Sequence, residues 1–241
     1  VIDFEVTPNR PDWLGVNSIA RDLAAVGLGE LISPPIEPIA GAFACDQDVI
    51  IEATDGCPAF SRRIIRGVKN GPSPKWLKDQ LESIGLRSIS ALVDITNYVT
   101  YDRARPLHFY DLNKLQGPIK VRLGQNETFE ALDDKSYTAT DADVAITDDS
   151  GIIGLGGIVG GTTTGCDDGT TDILVESAFF DPLTIRRTAK SLGVNSDAKY
   201  RFERGVDTGG LVDGVELATR LVLDICGGEP SEVESSSYGE S

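Results

Sequence analysis

The sequence predicts an α+β fold, in which mixed and antiparallel sheets are flanked by helices and a small helical segment lies on the N-terminal side. Short runs rich in β-branched residues recur between polar turns, and several stretches have the apolar spacing of amphipathic helices. The 241 residues, of which 40% are hydrophobic, can form one large core with a small satellite unit. We therefore divide the chain into residues 1–38, 39–230 and 231–241.

The first unit, residues 1–38, is predicted to be an extended run, a proline-rich turn and one helix. One face of this helix carries Val16, Ile19, Leu23 and Val26, at spacings of 3, 4 and 3 residues. Gly27 supplies a left-handed residue that can end it. Three prolines within residues 34–38 then exclude a helix or a central strand, so residues 33–48 are interpreted as a linker.

The main unit, residues 39–230, is predicted to begin with strands over 49–53 and 60–68, separated by a turn. Four later alternating runs predict an antiparallel meander, over residues 119–123, 128–132, 136–140 and 143–147. The apolar run 173–175 is typical of a buried strand that ends by presenting Glu176. The segment after residue 228 is polar, and we expect it to be a mobile tail or the start of a further domain.

Three helices are predicted in the main unit. Ser73 and Asp181 are placed to cap the first two, each with a proline directly behind it, and Gly85 and Gly193 end them. The third helix covers Leu211–Cys226. The residues expected to face inward are Leu77, Leu81 and Ile84 in the first, Leu183, Ile185, Ala189 and Leu192 in the second, and Leu211, Val215, Ala218, Val222 and Ile225 in the third.

The composition limits the partners. With 22 basic and 38 acidic residues the net charge is -16, which disfavours binding of DNA or of a long RNA segment. Four separated cysteines without a C-x-x-C pair are typical of a reducing compartment and give no zinc pattern. The sequence has no long apolar run and no leader pattern, so we expect a cytoplasmic protein without a membrane span. Because methionine is absent, even at position 1, we expect an internal part of a longer protein.

The only histidine, His108, lies in the segment with the greatest concentration of polar candidates. The mainly apolar run 89–95 contains Asp94 near its end and is followed directly by Thr96 and Asn97. This pattern predicts several hydrogen-bonding side chains in one place. A lone histidine is more often structural than catalytic, and a glutamate such as Glu176 is more often ion-paired at a strand end. The residues alone leave both interpretations open.

Two further clusters also have two interpretations. The glycines within residues 154–161 do not have the spacing G-x-G-x-x-G and no amphipathic helix follows, so a dinucleotide site is disfavoured. A group of basic residues is either a solvated helix face or a contact for the end of an RNA. Its members are Arg186, Arg187, Lys190, Lys199, Arg201 and Arg204.

The strings VDITNYV and RPLHFYD resemble the B3/B4 module of the bacterial phenylalanyl-tRNA synthetase β subunit. Further matches occur in the family's order across about nine-tenths of the chain, which makes the resemblance strong. They are DFEVTPNRPDWLGVNSIARDLAAVG at 3–27, GGIVGG at 156–161, ESAFFDP at 176–182 and SDAKYRFERGVD at 196–207. The resemblance implies that residues 1–38 are the C-terminal part of a B1-like unit with its linker, and that 39–230 are a B3/B4 editing domain.

The resemblance also implies the reaction, which is hydrolysis of tyrosine from mischarged tRNA(Phe). The catalytic group would be His108, Thr96 and Asn97, near the ester. The residues binding the amino acid would be Glu176 at the tyrosine hydroxyl, Gly157 in the pocket wall, and Ser196 and Ala198 beside the ligand. The parent enzyme, two α and two β subunits, would join phenylalanine to tRNA with ATP and Mg²⁺ in its α subunit, so no cofactor or metal is expected in this part.

A site that hydrogen-bonds the tyrosine hydroxyl would select against phenylalanine, which leaves a buried carboxylate without a partner. A placed water suffices for an activated ester, and no covalent nucleophile is indicated. The alternative is a non-catalytic packing and tRNA-docking module of the same synthetase. A third class, an unrelated ligand-binding domain, is disfavoured by the ordered motifs, while the presence of His108, Asn97 and Glu176 favours editing over docking.

Overall fold

The computed structural model describes residues 4–237. Twelve strands lie within them: β1 (Val49–Ile51), β2 (Ala59–Arg66), β3 (His108–Asp111), β4 (Ile119–Leu123), β5 (Glu127–Glu130), β6 (Ser136–Ala139), β7 (Val144–Asp148), β8 (Gly151–Leu155), β9 (Val159–Gly160), β10 (Asp172–Phe179), β11 (Glu229–Pro230) and β12 (Glu234–Ser237). Six α-helices lie in the same span: α1 (Val16–Ala25), α2 (Lys75–Ser83), α3 (Ala91–Arg103), α4 (Pro182–Leu192), α5 (Asp197–Phe202) and α6 (Leu211–Cys226).

The strands form two five-stranded sheets and one hairpin. The first sheet has the order β1-β4-β7-β8-β9, with β1 parallel to β4 and the other pairs antiparallel. The second has the order β11-β2-β10-β3, all antiparallel, and β12 also pairs with β2. β5 and β6 pair with each other. The predicted α+β class with mixed and antiparallel sheets and flanking helices is confirmed.

Strand β10 is buried on both faces, because the second sheet lies between two hydrophobic layers. Leu174 and Ala178 pack in the core shared with the first sheet. Ile173 and Val175, which point to the opposite face, belong to a second core that also contains residues of α2, α3 and α6. A strand covered on both sides is expected to be almost continuously apolar. The polar side chains in the middle of β10, Glu176 and Ser177, are therefore buried.

Several strand predictions need correction. The strands near residues 50 and 60 form but belong to different sheets, and β4 pairs directly with β7, so the four runs are not a simple meander. β5 and β6 pair with each other as a separate two-stranded sheet and are not inserted between β4 and β7. Glu176 lies in the middle of β10 rather than at its end. Residues 229–237, expected to be mobile, form β11 and β12 at the edge of β2, while 238–241 lie outside the described residues.

The helix predictions are confirmed in position but not in every contact. Ser73 does not cap α2; its hydroxyl donates to Asp94 at 2.6 Å instead, because Pro74 occupies the N-cap. Ile84 and Leu183, predicted to face inward, are 45% and 60% exposed. Asp181 caps α4 as predicted.

Helix α1 forms as predicted, but none of its residues is buried by the part of the chain described here. Its apolar face is open, and Val26 is 71% exposed. No helix within residues 4–237 is both long enough and apolar enough to cross a membrane.

A buried arginine ties the linker and the C-terminal strands to the main unit. Arg63 on β2 is fully buried and forms an ion pair with Glu216 of α6 at 2.8 Å. Its guanidinium also donates to the carbonyl oxygens of Ser231, at 2.6 Å, and of Ile39. The Ile39 amide donates back to Glu216 at 3.0 Å. One residue thus holds together three segments that are far apart in the sequence.

Candidate active site

The site is built on the adjacent strands β3 and β10. In their antiparallel register Glu176 lies opposite His108, and Leu174 lies opposite Tyr110. Opposite residues share one face of a sheet, and so do residues two apart on one strand. His108, Tyr110 and Glu176 are therefore neighbours on the face that points toward the first sheet.

These three side chains line a cavity of about 130 Å³ between the two sheets. The rest of its wall is mainly apolar, with Pro106, Leu107, Ile146, Leu155, Ile158, Val159, Phe180, Ala198 and Phe202, together with glycines 154, 157 and 160. A dry cavity of about 150 Å³ is known to accept one benzene molecule. This cavity is thus of the size that takes a single aromatic ring, with one carboxylate and one imidazole in its wall.

Glu176 is 5% exposed, and its Oε2 accepts a hydrogen bond from the Tyr110 hydroxyl at 2.5 Å. Burial raises the pKa of Glu176 from 4.5 to about 7, and the Tyr110 hydrogen bond opposes that rise. Arg62 lies opposite Glu176 on β2, but its guanidinium donates to Gln47 and Ser236 instead. The carboxylate is therefore held by a phenol rather than by an ion pair.

His108 is a neutral imidazole at physiological pH. Burial lowers its pKa from 6.5 to about 4. Its ring stands edge-on to that of Tyr110, with centroids 4.3 Å apart. The Nε2 atom is buried and has no hydrogen-bond partner among the residues that the structure describes. Since an unpartnered buried polar atom is costly, this nitrogen is poised to bind a ligand or a water.

Two glycines allow the β8–β9 turn to approach the site closely. Gly157 has a φ of +67°, and a Cβ there would lie 2.9 Å from Phe180 and 3.0 Å from Phe202. A Cβ on Gly160 would lie 2.6 Å from Cε1 of His108. Gly157 lies in the cavity wall, where it was predicted to lie. The turn is followed by β9 and then by residues 161–171, which contain no helix, so the structure does not have the helix that a dinucleotide site requires.

Helix α3 reaches the site on its other side. Buried Asp94 anchors its first turn by accepting hydrogen bonds from Ser73 at 2.6 Å, from Ser88 at 2.5 Å and from the Ile89 amide at 2.9 Å. Thr96 and His108 both line a second cavity of about 130 Å³, although the Thr96 hydroxyl donates to the Val93 carbonyl. The structure thus brings Thr96 close to His108.

Two of the predicted site residues do not line either of these cavities. Asn97 is on α3 but is absent from both walls. Ser196 caps α5, accepting from the Lys199 amide at 3.1 Å and donating to the Ile158 carbonyl at 2.7 Å. Its hydroxyl therefore supports the β8–β9 turn, and its predicted place beside the ligand stays a prediction. Ala198, two residues later, does line the main cavity as expected.

The predicted basic group is split by the structure. Arg201 is buried, donates to the Leu14 carbonyl and stacks on Tyr101 at 4.3 Å. Lys199 and Arg204 are both paired with Glu203. Arg186, Arg187 and Lys190 remain exposed on α4. Arg201, Lys199 and Arg204 are thus engaged in contacts within the chain. Of the predicted basic group, only the three exposed residues on α4 remain available for a contact with RNA.

The comparison with known families agrees with this architecture. Residues 56–227, which include both site strands and both cavities, match the B3/4 domain family. The chain belongs to this family. The resemblance found in the sequence is thereby confirmed, and the matched range lies within the predicted unit 39–230, whose boundaries stay predictions.

This B3/4 chain is also similar to curated bacterial proteins. It is 56% identical over 239 residues to the phenylalanine–tRNA ligase beta subunit of Mesorhizobium japonicum, covering 99% of the chain and 30% of the relative. It is 53% identical over 233 residues to that of Nitrobacter winogradskyi, covering 96% of the chain and 29% of the relative. The chain thus spans about 30% of the length of these relatives.

A solved structure supports the fold alone. It is an N-terminal fragment of the phenylalanyl-tRNA synthetase beta subunit from Pyrococcus horikoshii, with a TM-score of 0.54 and 12% identity. The match covers 96% of this chain and 65% of that one.

The sequence analysis did not name most of the apolar and aromatic residues of the main cavity, among them Tyr110, Phe180 and Phe202. The string His108-Phe109-Tyr110-Asp111 contains the signal for the first, because residues two apart on a strand share a face. That strand was not predicted, since the segment follows a turn at Pro106. Across residues 4–237, no three His, Cys, Asp or Glu side chains are grouped as a metal site would require.

Proposed function

We propose that this chain is an editing module that hydrolyses the ester between tyrosine and the 3′ end of tRNA(Phe). The observation that carries the proposal is the ring-sized cavity with Glu176 and His108 in one wall. An apolar cavity with few polar groups is typical of a site for a small ligand. The curated relatives are named phenylalanine–tRNA ligase beta subunits, which supports an aminoacyl-tRNA as the class of substrate. Tyrosine as the amino acid is what the family resemblance of the sequence implies.

The tyrosine ring would lie between the sheets, with its hydroxyl on Glu176. Since Tyr110 already donates to Oε2, the other oxygen, Oε1, is the acceptor available to a ligand. Phenylalanine would not leave the whole carboxylate unpartnered, as the sequence alone suggested; only Oε1 would lose a hydrogen bond. Loss of one hydrogen bond to a charged group costs about 1.5–3 kcal/mol, which corresponds to roughly tenfold or more in selectivity.

A water molecule would be the nucleophile, oriented by neutral His108. The water oxygen adds to the ester carbonyl carbon, the bond to the ribose oxygen breaks, and that oxygen leaves with a proton as the free hydroxyl of the tRNA. Nearby thiols are poor alternatives, because burial raises the pKa of Cys166 to about 12 and raises that of Cys57 as well. Protonated thiols do not attack esters at neutral pH.

The wider context is part of the same proposal. The net charge of -16 favours admission of only the end of a tRNA, whose remainder would be held by other parts of a cytoplasmic ligase. Ligation of phenylalanine with ATP and Mg²⁺ would belong to the α subunit, and this chain would need neither.

The test is deacylation of tyrosyl-tRNA(Phe) and phenylalanyl-tRNA(Phe) by this chain, compared with buffer alone. We expect faster release of tyrosine than of phenylalanine, and loss of the excess rate in Glu176→Ala. Equal rates with and without the chain for both esters would instead favour a docking module that has no hydrolytic activity.

A further inference from the structure

We propose that Tyr110 is a positioning residue for Glu176, which holds one carboxylate oxygen and thereby sets the pH range in which the site distinguishes tyrosine from phenylalanine. The inference rests on the proposed editing function but concerns a residue that this function does not itself require. Its basis is the short, buried contact between the Tyr110 hydroxyl and Glu176 Oε2, at 2.5 Å.

The hydroxyl is not needed to join the two strands. Backbone pairing between β3 and β10 already includes the Tyr110 and His108 positions. A phenylalanine ring would fill the same space in the core without carrying a polar atom into it. Tyr110 is 1% exposed, so its hydroxyl is costly to bury unless it is hydrogen-bonded. The unfavourable burial of this hydroxyl is offset by its hydrogen bond to Glu176, which indicates a role toward that carboxylate.

Tyr110 is also the group best placed to control the charge of Glu176. His108, on the neighbouring strand β3, is neutral because its pKa lies at about 4. Arg62, on the neighbouring strand β2, donates its hydrogen bonds to Gln47 and Ser236. The Cys57 thiol, just before β2, is protonated, since burial raises its pKa. Among these neighbours only the phenol donates a hydrogen bond that favours the carboxylate.

The charge of Glu176 matters for selectivity. An ionised Oε1 accepts a charge-assisted hydrogen bond from a substrate hydroxyl, which is about twice as strong as a neutral one. Once the carboxyl is protonated, that advantage is lost, and tyrosine and phenylalanine are bound more equally. The preference for tyrosine should therefore decline as the pH falls through the pKa of Glu176, which is about 7. Removing the Tyr110 hydroxyl should move this decline to higher pH.

The chain contains a matched control for this effect. Tyr137 donates its hydroxyl to Asp133 at 2.7 Å, so it forms the same kind of tyrosine–carboxylate pair. It lies on the β5–β6 hairpin and does not line the cavity. Tyr110→Phe and Tyr137→Phe thus delete the same atom from the same type of contact, inside and outside the site.

The first measurement does not depend on catalysis. ¹³C NMR of the chain labelled at the glutamate carboxyl carbon follows the titration of Glu176, whose resonance is identified by its loss in Glu176→Gln. In Tyr110→Phe the midpoint should rise by about 1 to 2 pH units, because a hydrogen bond to a charged group is worth about tenfold to a hundredfold in the equilibrium. Tyr137→Phe should leave it unchanged. Replacing tyrosine by the more acidic 3-fluorotyrosine should lower the midpoint. An unaltered midpoint in Tyr110→Phe overturns the inference.

The second measurement is the ratio of kcat/KM for tyrosyl-tRNA over phenylalanyl-tRNA between pH 6 and 8.5. At pH 7.5 Tyr110→Phe should lower this ratio up to about tenfold and recover it toward pH 8.5, following the shifted pKa. A merely structural role would slow both esters equally without moving the profile, and would refute the assignment. If the unmodified chain hydrolyses neither ester, the editing proposal fails, while the NMR titration still decides whether Tyr110 sets the charge of Glu176.

Discussion

Replacing Glu176 by glutamine should stabilise the protein at alkaline pH and not at acidic pH. The carboxylate is buried in an apolar wall and has one phenol as its hydrogen-bond partner. Because the pKa of Glu176 is raised on folding, the folded state favours the protonated form. The contribution of this group to stability is therefore fully present below the unfolded pKa of 4.5 and is lost as the pH rises through about 7.

The size of the effect follows from the two pKa values. One pKa unit corresponds to 1.36 kcal/mol, so a rise from 4.5 to about 7 corresponds to about 3 kcal/mol of stability lost between pH 4.5 and pH 8. Glutamine has a similar shape, can still accept from Tyr110 and does not titrate. The free energy of unfolding of Glu176→Gln minus that of the unmodified chain should thus grow by about 3 kcal/mol over this range.

The measurement is urea denaturation at pH 4.5, 6 and 8, followed by circular dichroism. Glu82→Gln on the exposed surface of α2 is the control, and its difference from the unmodified chain should stay within about 0.5 kcal/mol. If the Glu176→Gln difference is the same at pH 4.5 and pH 8, folding does not raise the pKa of Glu176, and our account of its environment is wrong.

Three further changes test other parts of the structure. His108→Ala should slow tyrosyl-tRNA hydrolysis by about 10²-fold, the low end for one positioned group, in a deacylation assay; an unchanged rate would return His108 to a structural role. Ala198→Trp should fill the cavity of about 130 Å³ and abolish hydrolysis while the thermal unfolding curve stays cooperative, whereas full activity would mean that the cavity does not bind the substrate. Arg63→Ala should lower the free energy of unfolding by about 3–5 kcal/mol in urea, because it leaves the Glu216 carboxylate buried without its positively charged partner. The exposed pair of Lys78 and Glu82 offers the comparison, since Lys78→Ala should cost less than about 1 kcal/mol; similar losses in both variants would contradict the importance of burial.

The sequence predicted the elements better than their pairing. Periodicity located α6 and β4 with the bounds that the structure has, because each buries one clear face. It could not assign β1 and β2 to different sheets, since pairing depends on contacts far along the chain. For the same reason Glu176 was assigned to a strand end, although β10 continues through Ser177 to Phe179 because both of its faces are covered.

The candidate site was predicted in part. Glu176, His108, Gly157 and Ala198 meet at one cavity as the family resemblance implied, although their roles stay predictions. Ser196 does not line this cavity, because a serine before a helix is also a good N-cap and the structure uses it as one; its place beside a ligand stays a prediction.

The pairing of β2 has a consequence for synthesis on the ribosome. This strand ends at Arg66, yet its neighbour β10 begins at Asp172, and its other partners, β11 and β12, begin at Glu229 and Glu234. At a translation rate of 5–20 residues per second, roughly 5 to 20 s pass between the emergence of the two central strands. During that time six consecutive residues that are later buried, from Phe60 to Ile65, form an unpaired edge. Nascent chains that stop before Asp172 should therefore be the species that aggregate or recruit chaperones, whereas chains that extend past Phe179 can cover this strand.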